Sequence, residues 1–318
     1  EGAQCASGNR AYFGDTHLHT ALSPDAGLAG TKLGLDEAYR FARGETVTSN
    51  SGQQAALKRP LDFLVVADHA ENLGLAQGLA DSDPELLKSS LGQQLNELLK
   101  AGKGREAFYL LVQKMAKGSE AKISNETFMR NVWKHNTEAA ERYNDPGKFT
   151  ALIGYEWTSQ PGGGNLHRVV VFRDNKALAD QILPFSNFDS EDVEDLWAFM
   201  NFYEENTGGR VLAIPHNGNL SSGTMFLPSH QKTGKAIDAD YARMRHRFEP
   251  LVEVTQAKGT SETHPLLSPE DEFANFNIVD NSNLGGIVAT TPEMLPYEYS
   301  RAALRRGLQL EQQLGVNP

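Results

Sequence analysis

A single cysteine, Cys5, stands among 318 residues. It has no partner for an internal disulfide and no Cys-x-x-Cys pair for a thiolate metal site or a redox centre. It lies in an N-terminal tail without the surroundings of a nucleophile, so it reads as a bystander. No window approaches eighteen uninterrupted apolar residues, so no membrane-spanning helix is expected. Positive charge is also short, with 30 Lys and Arg against 41 Asp and Glu and a formal net charge of −11. Binding to a nucleic-acid backbone needs clustered cations, so no nucleic-acid partner is expected. There is no Gly-x-Ser-x-Gly elbow and no Ser–His–Asp order. The glycine-rich "PGGGN" at 161–165 lacks the strand-to-helix context and the Lys of a phosphate loop, and reads as a hairpin connection. The chain opens on Glu1 with no visible signal peptide. A removed leader would account for that opening, and a bacterial periplasmic or secreted location is slightly favoured over the cytoplasm.

What is present is a moderate apolar content of 39%, enough for a sizeable core. Short β-branched runs read as strands at Ala11–Gly14, Phe63–Ala67, Ala151–Gly154, Val169–Phe172, Val211–Ile214 and Leu251–Val254, with a weaker seventh at Gly286–Thr290. Continuous rather than alternating runs suit parallel strands covered on both faces. Helical segments such as Leu35–Arg43 and Ser190–Glu205 fall between them, which points to an α/β architecture. Residues 73–148 differ, being rich in Leu, Lys, Gln, Ala and Glu. Helices are expected at Pro84–Lys100, Arg105–Lys117 and Asn125–Tyr143, the last capped by Asn125. This region reads as a helical insertion or lid, or equally as outer-layer helix. It divides the chain into 1–72, 73–148 and 149–318.

Only nine histidines occur, and two of them form "HLH" at His17 and His19. In extended backbone, residues two apart face the same side, so both rings could meet one ion. Alone the pair is weak evidence. Asp68–His69 follows the second strand, Glu156 the third and His216 the fifth, all at ends where α/β folds place their chemistry. His167 precedes its strand, and would join the others if that strand runs antiparallel after the short turn. Imidazoles mixed with carboxylates suit Zn, Mn or Fe. Asp15 is expected to orient a ligand histidine, and Asp25 is a candidate ligand or a turn former. His135 reads as solvated, His230 and His246 sit in polar, basic surroundings without a strand end, and His264 is a weaker candidate for lining the site.

In this order the residues resemble the polymerase and histidinol phosphatase (PHP) superfamily, through "AYFGDTHLHTALSPDAG", "RPLDFLVVADHAENLG", "LIGYEWTS", "NLHRVVVF" and "AIPHNGN". The wording looks closest to a PHP-like family of unknown function. The resemblance implies a distorted seven-stranded β/α barrel around two or three divalent ions. It implies His17, His19 and Glu156 on one ion, and Glu156, His167 and His216 on a second. Asp25, where relatives often carry a histidine, would serve a third ion with His69. Members normally close the centre with a late Asp-x-His. None follows His216 here, so we expect a fragment whose missing C-terminal segment completes the site.

The expected activity is metal-dependent hydrolysis of a small, anionic substrate, a phosphoester first, with Glu156 and Asp68 catalytic. Arg168 and Lys258 are possible phosphate contacts, and Asn217 and Glu262 possible lining residues. Each of these four is more often an ordinary polar or surface residue. The alternatives are hydrolysis of a non-phosphate ester, amide or sulfate, and a module that binds metal without catalysis.

Overall fold

A computed structural model describes residues 10–115 and 121–318; Cys5 and the last two residues of the expected 105–117 helix lie outside them. Among the described residues nine strands are formed: β1 (Gly14–Leu18), β2 (Val47–Thr48), β3 (Gln54–Ala55), β4 (Phe63–Val66), β5 (Thr150–Trp157), β6 (Arg168–Phe172), β7 (Val211–Pro215), β8 (Thr255–Gln256) and β9 (Gly259–Thr260). Five of them make one sheet in the order β1-β4-β5-β6-β7, and the rest form two small ribbons. β1, β4 and β5 run parallel, whereas β6 is antiparallel to both β5 and β7. The 161–165 turn therefore does join an antiparallel pair.

The expected seven-stranded β/α barrel is not formed. Mixed α/β packing surrounds a curled five-stranded sheet that stays open between β1 and β7. The sixth expected strand, Leu251–Val254, follows Pro250 and touches β7 through one backbone bond, Glu253 N–H to Pro215 O at 3.0 Å. Leu251 and Val254 are 55% and 40% exposed, and of the run's apolar residues Val252 alone packs against the main core. The seventh, Gly286–Thr290, is a turn docked on the glycine loop: Gly285 N–H donates to Gly163 O at 2.9 Å, and Ile287 is 71% exposed. Apolar residues that do not pack against a layer on both sides of a run leave it without a strand's half-buried, pleated surface. The first strand also begins later than expected, at Gly14, because Tyr12 and Phe13 stay outside the core.

Period-two alternation decides what each strand offers to each side. Leu64, Val66, Ile153, Tyr155, Trp157, Val170, Phe172 and Ala213 join the main core. Val65, Ala67, Val169, Val171 and Ile214 form a smaller cluster on the opposite, inner face. The helix at Glu126–Tyr143, capped by Asn125 through a 3.0 Å bond from Phe128 N–H, adds Trp133, Ala139 and Ala140 to the main core. It is thus a layer on the sheet. The helices at 75–80, 90–100 and 104–115 enclose a separate core with Leu28, Leu95 and Leu111.

Candidate metal centre

Residues two positions beyond the inner cluster carry the site. His69 follows Ala67, His216 follows Ile214, His167 precedes Val169, and Glu156 occupies the inner face of β5. A backbone bridge between His69 and Glu156 ties the β4 and β5 ends together. At the edge strand β1 the register slips between Asp15 and Leu18, an irregularity that re-aims side chains. His17 and His19 then come together, with ring centroids 5.2 Å apart. Curling of the sheet carries the β1 edge to the β7 edge, and His17 reaches His216 at 4.1 Å between ring centroids.

Glu156 is the hub. Its Oε1 accepts from His167 Nδ1 at 2.7 Å and His216 Nε2 at 2.9 Å. Its Oε2 lies 3.4 Å from His17 Nε2, 2.7 Å from His19 Nε2 and 3.3 Å from His69 Nδ1. Five of the chain's nine histidines thus surround one carboxylate that is 1% exposed. Asp25 joins from the solvent side, 3.1 Å from His19 Nδ1 and 3.5 Å from His69 Nε2. All seven expected ligands are therefore brought together.

The electrostatics follow from burial set against these contacts. Burial works against the charged form of His17, but hydrogen bonds to Glu156 and Glu253 outweigh it and push its pKa up to about 9. His19, against the same burial, rises to about 10 through its hydrogen bond to Asp25 and the nearby charge of Glu156. His167 and His216 lie deeper, and burial brings them down to about 3 and about 4. Burial opposes the charge on Glu156 too, yet the surrounding imidazoles hold its pKa well below the usual carboxylate range.

The donor set fits a divalent cation. A carboxylate offers about four lone-pair sites, too few for five imidazoles. His19 Nε2, for all its 2.7 Å approach to Glu156, lies outside hydrogen-bond geometry. With His167 Nε2 and His216 Nδ1 it is a buried nitrogen without a hydrogen-bond partner. Three overlapping groups, His17–His19–Glu156, His19–Asp25–His69 and His69–Glu156–His167, each bring their ligand atoms within 4.8 Å of one another. This buried cluster could hold a metal ion.

The other expected residues are placed elsewhere. Asp68 is buried with opposite parity to His69 and accepts Thr20 N–H at 2.5 Å and Thr20 Oγ–H at 2.7 Å. Arg168 points away from His167, to Glu249, with Nε to Oε1 at 2.9 Å and 1% side-chain exposure at both ends. It is not available to a phosphate. Lys258 is exposed, and Glu262 pairs with Arg301 at 2.6 Å, half exposed. Asn217 is buried in left-handed backbone beside His216, and neither of its side-chain polar atoms has a partner. His230 pairs with Glu194, His264 with Asp280, and His246 meets the Asn317 carbonyl; His135 is exposed on its helix.

Several contacts have no local signal in the sequence. Glu253 Oε2 accepts from His17 Nδ1 at 2.9 Å. Thr158 Oγ1 lies 2.5 Å from His69 Nδ1, and buried Glu71 accepts the Thr158 N–H at 3.3 Å. Asn165 Nδ2 donates to the His216 carbonyl at 2.7 Å. Asp15 binds the backbone N–H of His17 at 2.8 Å instead of its ring, so it does not orient the imidazole.

Among known proteins, no curated sequence and no solved structure matches the chain. Residues 6–318 match the model of DUF3604, a family of proteins of unknown function, and the chain belongs to that family.

Proposed function

We propose that this protein is a metal-dependent hydrolase of the PHP type, with two or three Zn, Mn or Fe ions and a phosphoester as its first substrate class. The observation that carries this reading is the Glu156 carboxylate, ringed by five imidazoles with buried nitrogens left unpartnered. Divalent ions in such a site activate water and neutralise charge on a leaving oxygen. The two oxygens of Glu156, one beside His167 and His216 and the other beside His17, His19 and His69, support a reading in which more than one ion would be held. Asp25, 40% exposed, and Glu253, 21% exposed, mark the solvent side from which a substrate would approach. Buried Asn217 has a free amide beside His216, suited to holding a polar substrate atom.

One observation favours a second reading, hydrolysis of a non-phosphate ester, amide or sulfate. Arg168, the cation next to His167 in sequence, is locked on Glu249. Both readings are tested by loading the chain with Mn, Zn or Fe and offering phosphomonoesters, phosphodiesters, esters, amides and sulfates. Chelator-sensitive cleavage of a phosphoester is expected. Cleavage confined to the other bonds would favour the second reading, and no cleavage with any metal would leave only a metal-binding module.

A further inference from the structure

We propose that Glu253 is the positioning residue of the centre, fixing the tautomer of His17 and tying the two open edges of the sheet together at the metal site. The inference rests on the metal reading above. His17 presents Nε2 toward Glu156 at 3.4 Å, while its Nδ1–H donates to Glu253 at 2.9 Å. This is the arrangement by which a carboxylate behind a metal-binding imidazole sets ring orientation and basicity. Asp15, the nearer acid in sequence, is taken by the His17 backbone. Glu253 is itself held twice. Its Oε1 accepts Gln256 Nε2–H at 2.8 Å, and its own N–H donates to Pro215 O at 3.0 Å. That carbonyl ends β7, one residue before His216, whereas His17 lies in β1. Among the described residues no strand closes the sheet between β1 and β7, so Glu253 spans the gap and keeps His17 against His216.

The test compares Glu253→Leu with Glu253→Gln in the full chain. The replacements are similar in size, but only Gln can still accept the Nδ1 proton. Zn uptake is measured by calorimetry and by metal content after dialysis, with melting temperature as a check on the fold. The Leu variant should bind one ion about 10–100-fold more weakly, and Gln should lose several-fold only. A long-range ¹H–¹⁵N spectrum taken where the His17 ring is neutral should place its proton on Nδ1 in the native chain, and that preference should vanish with Leu. Native affinity in the Leu variant, or an equal loss with Gln and Leu, would overturn the positioning role alone. Should the Leu variant not fold, unchanged affinity with Gln overturns it instead. A native chain that takes up no Zn, Mn or Fe would bring down the metal reading and this inference with it.

Discussion

His167 and Arg168 are neighbours at the start of β6, and each meets a buried glutamate on its own face of the sheet. On the inner face, His167 meets Glu156, whose other partners are also imidazoles. On the outer face, Arg168 meets Glu249, which also accepts from Trp197 Nε1 at 3.0 Å and lies 3.5 Å from Arg245 Nε. A guanidinium keeps its charge at any working pH, so Glu249 is neutralised permanently and has no call on an outside ion. Imidazoles can be neutral, and a neutral ring nitrogen is a ligand. The kind of base beside a buried carboxylate thus separates a closed ion pair from a cluster that could hold a metal ion.

The largest expected effect breaks the closed side. Glu249→Gln leaves Arg168 buried without its counter-charge, and should destabilise the fold by about 3–5 kcal/mol. Denaturant unfolding measures this, while the folded fraction keeps its metal content. Glu156→Gln should do the opposite. It removes the hub, so metal affinity should fall by at least about 100-fold, beyond the usual loss for a supporting residue, with the cooperative melt retained. If Glu249→Gln emptied the centre, or Glu156→Gln left it filled, the contrast between the two faces would be wrong.

Much of this contrast was readable from sequence order. β-branched runs located β4, β5, β6 and β7 because those segments are buried on both sides, whereas β1 shares only Gly14 with its expected run; the site histidines and Glu156 sat within three residues of the strand ends. Leu251–Val254 and Gly286–Thr290 misled because composition alone does not reveal which layer, if any, covers an apolar run. Arg168 and Asp68 were assigned to the site through nearness to His167 and His69. Strand parity was available to correct this, since adjacent residues face opposite sides. Glu253 had no such signal. It lies 236 residues from His17 in a loop, and only the curl of the sheet joins them.

A third kind of buried carboxylate sharpens the comparison by having no cationic partner. Glu298 is 0% exposed; its Oε1 accepts Gly223 N–H at 2.8 Å, and its Oε2 has no hydrogen-bond partner. Burial pushes its pKa from 4.5 up to about 7, with Asp280 adding in the same direction. Between those two values the folded state holds a proton that the unfolded chain has lost. Stability therefore falls as pH rises through that window and stays lower above it. Gln carries no charge to bury. Glu298→Gln should therefore gain on the order of 2 kcal/mol over the native chain at about pH 8.5, and little at about pH 4.5. An equal difference between the two melts at both pH values would sink this account.

Asp68 is the mildest case, a carboxylate held by neutral donors. Burial raises its pKa to about 6, against the two bonds from Thr20. Those bonds fix the residue between His19 and Ala21, so Asp68 acts on the centre through backbone placement. In Asp68→Asn the amide oxygen keeps the Thr20 N–H, and the Thr20 hydroxyl can turn to accept from the new NH₂. The cost should be about 1 kcal/mol, read from the denaturation midpoint, with metal stoichiometry unchanged. A variant that folds as well as the native chain but cleaves no substrate would return Asp68 to a catalytic role. A small loss of stability with turnover retained would confirm that a buried acid one residue from a ligand histidine serves the fold.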